Sequence, residues 1–295
     1  MLRGLYTATA GMITQQRKHD NATNNIANMN TTGFKAGNVT MRSFPEMLIQ
    51  TIRDQEKPGS TAIGRLNTGV FAEEAIPLFT QGDMFATSKQ TDLAIVSNIQ
   101  VPGVMFDQSG IAVTEGGEMV YQPQAFFTVG DGSGNGEERY TRNGEFTVNE
   151  AGEWVTGSGM RLLGVDGQPF RMASQPEDVQ ITPNGRVFDR YTGAQLVDEN
   201  DNPLQIRISI IDNPYNLIRE GNGNFRLAEG SGPVRLLQGE DGVQVMQGYE
   251  ERSNVDTTAT MVEMMTAQRA YESNQKIVQY YDRSMEKAVN EVGRV

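Results

Sequence analysis

Apolar side chains recur at alternating steps of three and four along the first 27 residues and again along the last 40 or so, while the stretch between them alternates over short runs. At the N-terminal end the positions are Leu2, Leu5, Thr9, Met12, Gln16, His19, Thr23 and Ile26. They form the seam of a helix, apolar at its ends and polar in its centre. Asn30-Thr31-Thr32-Gly33 supplies turn formers and a glycine able to take positive φ, so the helix should stop near Asn28 after roughly 40 Å. The same spacing near the C-terminus picks out Met261, Met264, Gln268, Tyr271, Gln275, Val278, Asp282, Met285, Val289 and Val292, with Asn254 or Asp256 available as a cap. Only one member of each pair is reliably apolar. So thin a stripe is marginal for two helices of one chain, because each ordered residue costs about 1–2 kcal/mol of backbone entropy. The helices are expected to need neighbours.

The middle holds all eleven prolines and most of the 32 glycines. Short strand-like runs recur at Ala125–Val129, Arg139–Tyr140, Glu145–Val148, Trp154–Val155, Arg161–Val165, Val179–Ile181, Leu204–Ile211, Asn224–Leu227 and Gly242–Met246. Turn signals such as Asn143-Gly144, Asp166-Gly167 and Asn184-Gly185 separate them, the pattern of hairpins in an antiparallel sheet. The expected fold class is therefore α+β, a mainly antiparallel β domain with a helix at each end. The layout is a helical assembly region at 1–34 and 249–295, an irregular linker at 35–69 interrupted by Gln55–Ser60, and a β-rich domain at 70–248.

Charge refines this picture. The net charge of −12 argues against a nucleic-acid partner, which needs a clustered basic surface. Residues 1–42 carry +4 and residues 249–295 carry −2, leaving −14 on the middle. The ends together are nearly neutral, as suits surfaces that pack on copies of themselves, and the body is acidic. The chain has no cysteine, so disulfides and thiolate metal sites are excluded. No run reaches the length of a membrane span, and Met1–Met12 lacks the apolar core of a cleavable signal peptide.

Catalytic and cofactor chemistry is sought and mostly not found. His19, the single histidine, lies on the first helical seam and reads as a packed or interfacial side chain; no G-x-S-x-G elbow or Walker loop occurs. Asp131-Gly132-Ser133-Gly134-Asn135-Gly136-Glu137 resembles the start of a calcium loop, but Arg142 stands where the bidentate glutamate belongs, and a hairpin loop is the better reading. Asp198–Pro203 reads as a solvated acidic turn. Glu73-Glu74, Glu137-Glu138 and Glu250-Glu251 are adjacent carboxylates that point to opposite faces of a strand, so they read as surface charge rather than a glycosidase pair. Met261–Met265 and Tyr280-Tyr281 read as packing residues. The expectation is a non-enzymatic protein with no cofactor and no metal.

Two longer motifs give the chain a family. Gly4-Leu5-Tyr6-Thr7-Ala8 with Gly11-Met12, then Asn25–Lys35, resembles the N-terminal signature of bacterial flagellar rod and hook proteins. Ser253–Asp256, Met261–Met264 and Gln268–Asn274 resemble their C-terminal signature, and Tyr140–Phe146 looks like a hairpin of their β domain. The resemblance implies a structural subunit whose terminal helices pair as a coiled coil and line a tube, with the β domain outside. It implies copies of the chain and other rod or hook proteins as partners. It also implies type III export without a cleaved signal, a place in the basal body outside the cytoplasm, and no membrane insertion. Assembly is expected to rest on Leu2, Leu5, Met12, Ile26, Met261, Met264, Tyr271, Val278 and Met285.

Within that family, the size and the stretch Asn67–Met84 look most like a distal rod protein. Asp92-Leu93-Ala94-Ile95 stands about thirty residues before Phe126-Phe127, where the family runs on directly, so 97–124 is read as an inserted loop or hairpin. A hook or hook-junction subunit is the nearest alternative, and an enzyme acting on peptidoglycan the more remote one.

Overall fold

The computed structural model describes residues 2–50, 62–107, 110–114, 116–131, 137–172, 175–197, 201–239 and 242–292. Two compact units are present. One combines residues 1–27, 37–76 and 256–295; the other combines 28–36 and 77–255.

The helical unit holds α1 (Leu2–Ala27) and α2 (Thr257–Lys287), the latter continued by a π-helical stretch Ala288–Val292. α2 begins where its cap dictates: the Asp256 side chain accepts from the amide of Ala259 at 3.0 Å. Residues 35–69, expected as an irregular linker, instead carry strands at Gly37–Ser43, Met47–Gln50 and Ala62–Leu66. Gly37–Ser43 pairs with Val70–Pro77, and Met47–Gln50 pairs antiparallel with Ala62–Leu66. The Gln55–Ser60 break lies outside the described residues. Polar residues of α1 hold this ribbon. Asn25 both donates to the Gly37 carbonyl and accepts from its amide, each at 2.9 Å, while Arg17 donates to Ala72 and Thr14 to Val70. Polar side chains of the first helix outside the expected seam thus bond strand backbone directly.

The β unit is built on the strand Gln124–Gly130, buried along its whole length. It pairs antiparallel with Arg139–Thr141, Arg161–Leu162 and Ile208–Ile211. The sheet extends through Trp154–Thr156 to Phe146–Val148 on one side and through Asn224–Leu227 to Leu217–Gly221 on the other. Alternation along the central strand divides the core in two. Ala125, Phe127 and Val129 join Leu93, Ile95, Trp154 and Ile206 on one face, while Phe126 joins Phe79, Tyr140 and Phe225 on the other. Each of these large side chains contributes about 1.5–3 kcal/mol by leaving water.

Each of the nine expected strand runs contains or overlaps a strand or strand pair, although Arg161–Val165 and Leu204–Ile211 are regular only at Arg161–Leu162 and Ile208–Ile211. Residues 97–124 carry a hairpin, Ile111–Val113 with Met119–Tyr121. The C-terminal boundary differs from expectation: Tyr249–Glu251 is a strand on Met84–Ala86 rather than the start of the helical region.

Candidate functional site

Within the helical unit, α1 and α2 lie against each other and run antiparallel. Gly4 faces Tyr281, Gly11 faces Asn274, Lys18 bridges Glu263 at 2.9 Å, and the Thr23 hydroxyl lies 3.8 Å from Met264 Sδ. The approach is close because the facing positions are small. A Cβ added to Gly4 would fall on the Tyr281 ring, and one on Gly11 would meet Asn274 Nδ2 at 3.0 Å. Ala8, Ala22, Ala267 and Thr260 are buried along the same helices. Shielded positions along α2 and its π-helical continuation include a row at steps of four and three: Thr260, Met264, Ala267, Tyr271, Asn274, Val278, Tyr281, Met285 and Ala288.

This seam differs from the expected one in a definite way. Met264, Tyr271, Val278 and Met285 are half-buried, but Met261, Gln268, Gln275, Asp282 and Val289 are exposed. Their places are taken by residues one position earlier. On α1, Leu5, Met12, His19 and Ile26 are half-buried beside the glycine line, while Thr9, Gln16 and Thr23 are exposed. The Leu2 side chain lies outside the described residues. Large apolar side chains therefore remain on the outside: Tyr6 and Ile13 on α1, and Met261, Val262, Met265, Ile277 and Tyr280 on α2. The Met47–Gln50 hairpin is more open still. Met47, Leu48 and Ile63 are 60 %, 64 % and 64 % exposed. Neighbours on a strand point to opposite faces, so both faces of this ribbon are uncovered.

The β unit contains a buried ionic node made of residues from three separated stretches of the chain. Glu251 accepts from Lys35 Nζ at 2.7 Å and the Gly82 amide at 2.8 Å on one carboxylate oxygen, and from Arg142 Nε at 2.9 Å on the other. Lys35 also donates to the Thr80 carbonyl at 2.8 Å, and Arg142 donates to the Ala125 carbonyl at 2.8 Å and to Gln81 at 3.2 Å. All three charged side chains are fully buried. Gly33, with φ 68°, donates its amide to the Glu251 carbonyl at 2.7 Å, and a Cβ there would strike the Arg142 carbonyl. Asn254 completes the closure by accepting from the Ala36 amide at 2.7 Å and donating to Leu78 and Thr80. Arg219 stacks over the Phe34 ring at 4.7 Å and donates to the Lys35 carbonyl.

Glu251 is therefore not the surface charge that the Glu250-Glu251 pair suggests in the sequence: it is buried at the centre of this node. Arg142, which disqualified the calcium-loop reading, is its second cation. That loop, residues 132–136, lies outside the described residues, as do 198–200 of the other acidic turn. His19 is 3.8 Å from Asp20, with no catalytic partner shown. Among the described residues no group of three or more acidic or histidine side chains is placed to hold a metal, and no helix is long and apolar enough to cross a membrane.

Two cations share one carboxylate, and the ionisations respond. Burial lowers the Lys35 ammonium from 10.5 to about 8, with Arg142 adding to the effect and Glu251 opposing it. Burial alone would raise the Glu251 carboxyl, but Arg142 and Lys35 outweigh it and hold it below its ordinary value. Stability from Glu251 is accordingly present above the ordinary carboxylate range and lost as pH falls through its depressed folded value. The Lys35 Cε resonance should titrate near pH 8 by NMR and move lower in Glu251→Gln; titration at the ordinary lysine value would contradict a buried node.

One unit offers a helix pair and strand ribbons with uncovered apolar side chains, surfaces suited to assembly, and the other an antiparallel sheet around a buried ionic node. Comparisons with known proteins agree. Residues 5–35 match the family described as "Flagella basal body rod protein", 122–189 the "Flagellar hook protein FlgE/F/G D1 domain", and 246–291 the "Flagellar basal body rod FlgEFG protein C-terminal". The chain is 39 % identical to the flagellar hook-basal body complex protein FlhO of Bacillus subtilis (strain 168), over 100 % of both chains. It is 31 % identical to the flagellar basal-body rod protein FlgG of the same organism, over 98 % of this chain and 99 % of the relative. With the FlgF of Caulobacter vibrioides it shares 28 % over the full length of both. The chain belongs to the flagellar basal-body rod and hook protein family, as a structural rod subunit of the basal body rather than an enzyme.

Proposed function

We propose that this chain is a distal-rod subunit that polymerises through its helical unit into a tubular drive shaft. In this reading the terminal helices form a coiled coil, and the chain reaches its place outside the cytoplasm through the flagellar export apparatus without a cleaved signal. The carrying observation is the face of α1 and α2 that one chain leaves open. Gly4, Gly11, Ala267 and Thr260 let the two helices approach closely along one seam, and Tyr6, Ile13, Met261, Val262, Met265 and Tyr280 lie exposed outside it, available to other helices. The steps of four and three along α2 suit knobs-into-holes packing, with copies of the chain completing the holes. Stacking the same surfaces repeatedly in one direction gives a heterologous, helical assembly, which is how a tube forms. Leu5, Met12, Ile26, Met261, Met264, Tyr271, Val278 and Met285 carry these contacts, and the Met47–Gln50 hairpin adds a second apolar surface.

A rod–hook junction subunit is the second reading, favoured by the hook-basal body name of the FlhO relative. Immunogold labelling of a tagged chain in purified hook–basal bodies separates the two. Label confined to the rod below the hook is expected; label on the hook or at its base alone would overturn the distal-rod assignment.

A further inference from the structure

The strand that supplies Glu251 to the ionic node carries a second carboxylate, Glu250, whose surroundings the assembly reading does not use. Its Oε2 accepts from the Thr32 hydroxyl at 3.2 Å. Its carboxyl also meets that of Asp92, within hydrogen-bonding reach. Asp92 is 0 % exposed, and neither of its carboxylate oxygens has a donor. Two carboxylates face each other, then, in a place where one is cut off from water and no N–H or O–H reaches it. Two acceptors cannot bond unless a proton stands between them, and two like charges this close cannot both ionise cheaply.

We propose that Asp92 and Glu250 share one proton, and that this carboxyl–carboxylate clamp ties the Thr32 loop, the Asp92 turn and the Tyr249–Glu251 strand together in a pH-dependent way. The pieces are well placed for it. Asp92 is fixed by its backbone, its amide donating to Lys89 and its carbonyl accepting from Gly248, while Leu93 donates to Gly144. The other charged group near Glu250 is Glu145, 3.9 Å from Lys89, which adds negative charge and favours the protonated form. The cations of the node do not neutralise the clamp, since Lys35 and Arg142 both bond Glu251. Burial first, then Asp92, raises the Glu250 carboxyl above its ordinary value. A raised folded value means that the folded unit binds the proton more tightly than the unfolded chain. The stabilisation is full below the ordinary carboxylate range and is lost as pH rises through the raised folded value. Glu251 titrates below that window and Lys35 above it.

The test is unfolding of the full chain by denaturant between pH 4.5 and 7.5, followed by fluorescence of Trp154, in a His19→Gln background that removes the sole imidazole. Folding should take up protons between the ordinary carboxylate range and the raised Glu250 value, at most a tenfold change in folding constant per pH unit. Asp92→Asn should flatten that slope and unfold at higher denaturant than its parent at pH 7.5, because an amide donates to Glu250 without a proton. Glu250→Gln, at the more exposed end of the pair, should flatten it likewise. Slopes parallel to the parent in both variants would overturn the clamp. So would stabilisation at pH 7.5 by calcium chloride over potassium chloride at matched ionic strength, since the pair would then hold a cation.

Discussion

Glu251→Gln is expected to destabilise the β unit by about 3–5 kcal/mol, because it leaves Lys35 and Arg142 buried without a counter-charge. Lys35 can escape part of the penalty by losing its proton, since its ammonium already sits at about 8. Arg142 has no such route, because a guanidinium stays charged. Lys35→Met should cost less than Glu251→Gln. It removes the surplus cation and leaves Arg142 and Glu251 as a matched pair, at the expense of one donor to Thr80. Chemical denaturation followed by Trp154 fluorescence checks both variants, as that residue is the sole tryptophan and lies in the main core. A loss below about 1 kcal/mol for Glu251→Gln would mean that the node is not held by charge.

Met264→Asp and Tyr271→Asp are expected to abolish rod assembly and swimming while the β unit keeps its unfolding midpoint. Both side chains are half-buried in the single chain, Met264 beside Thr23 on α1. Burying a carboxylate there without a partner costs several kcal/mol, and the cost recurs at every subunit of a polymer. Neither residue belongs to the β unit, whose core and ionic node are built from residues 28–36 and 77–255. The loss should therefore be one of association, visible as a chain that stays monomeric with normal Trp154 unfolding.

Much of this architecture was readable from pattern. The two helices and the hairpin signals of the sheet follow from apolar period and from turn residues such as Asn143-Gly144. One row of the helix seam, Met264, Tyr271, Val278 and Met285, lies where the spacing puts it, while the other row lies one residue earlier for a physical reason. A search for bulky apolar side chains finds Leu5, Met12 and Met261, whereas Gly4, Gly11 and Ala267 make the close approach because they are small. The strands of residues 37–66 escaped because the ribbon is exposed on both faces and shows no clean alternation. Glu251 was missed because an acidic pair before a helix looks like surface charge. Its burial depends on Lys35 and Arg142, separated from it by 216 and 109 positions, and no local pattern reports such a pairing. The signal was present only as motif membership, since the Asn25–Lys35 and Tyr140–Phe146 stretches that carry the family resemblance supply both cations.

The central claim is that the open faces of α1 and α2 are completed by other subunits of a rod. Electron microscopy of basal bodies from cells whose only copy of this chain carries Tyr271→Asp tests it most directly. The account predicts rods that stop short, with no hook, from cells that make the folded but unassembled protein. Full-length rods in freely swimming cells would contradict it.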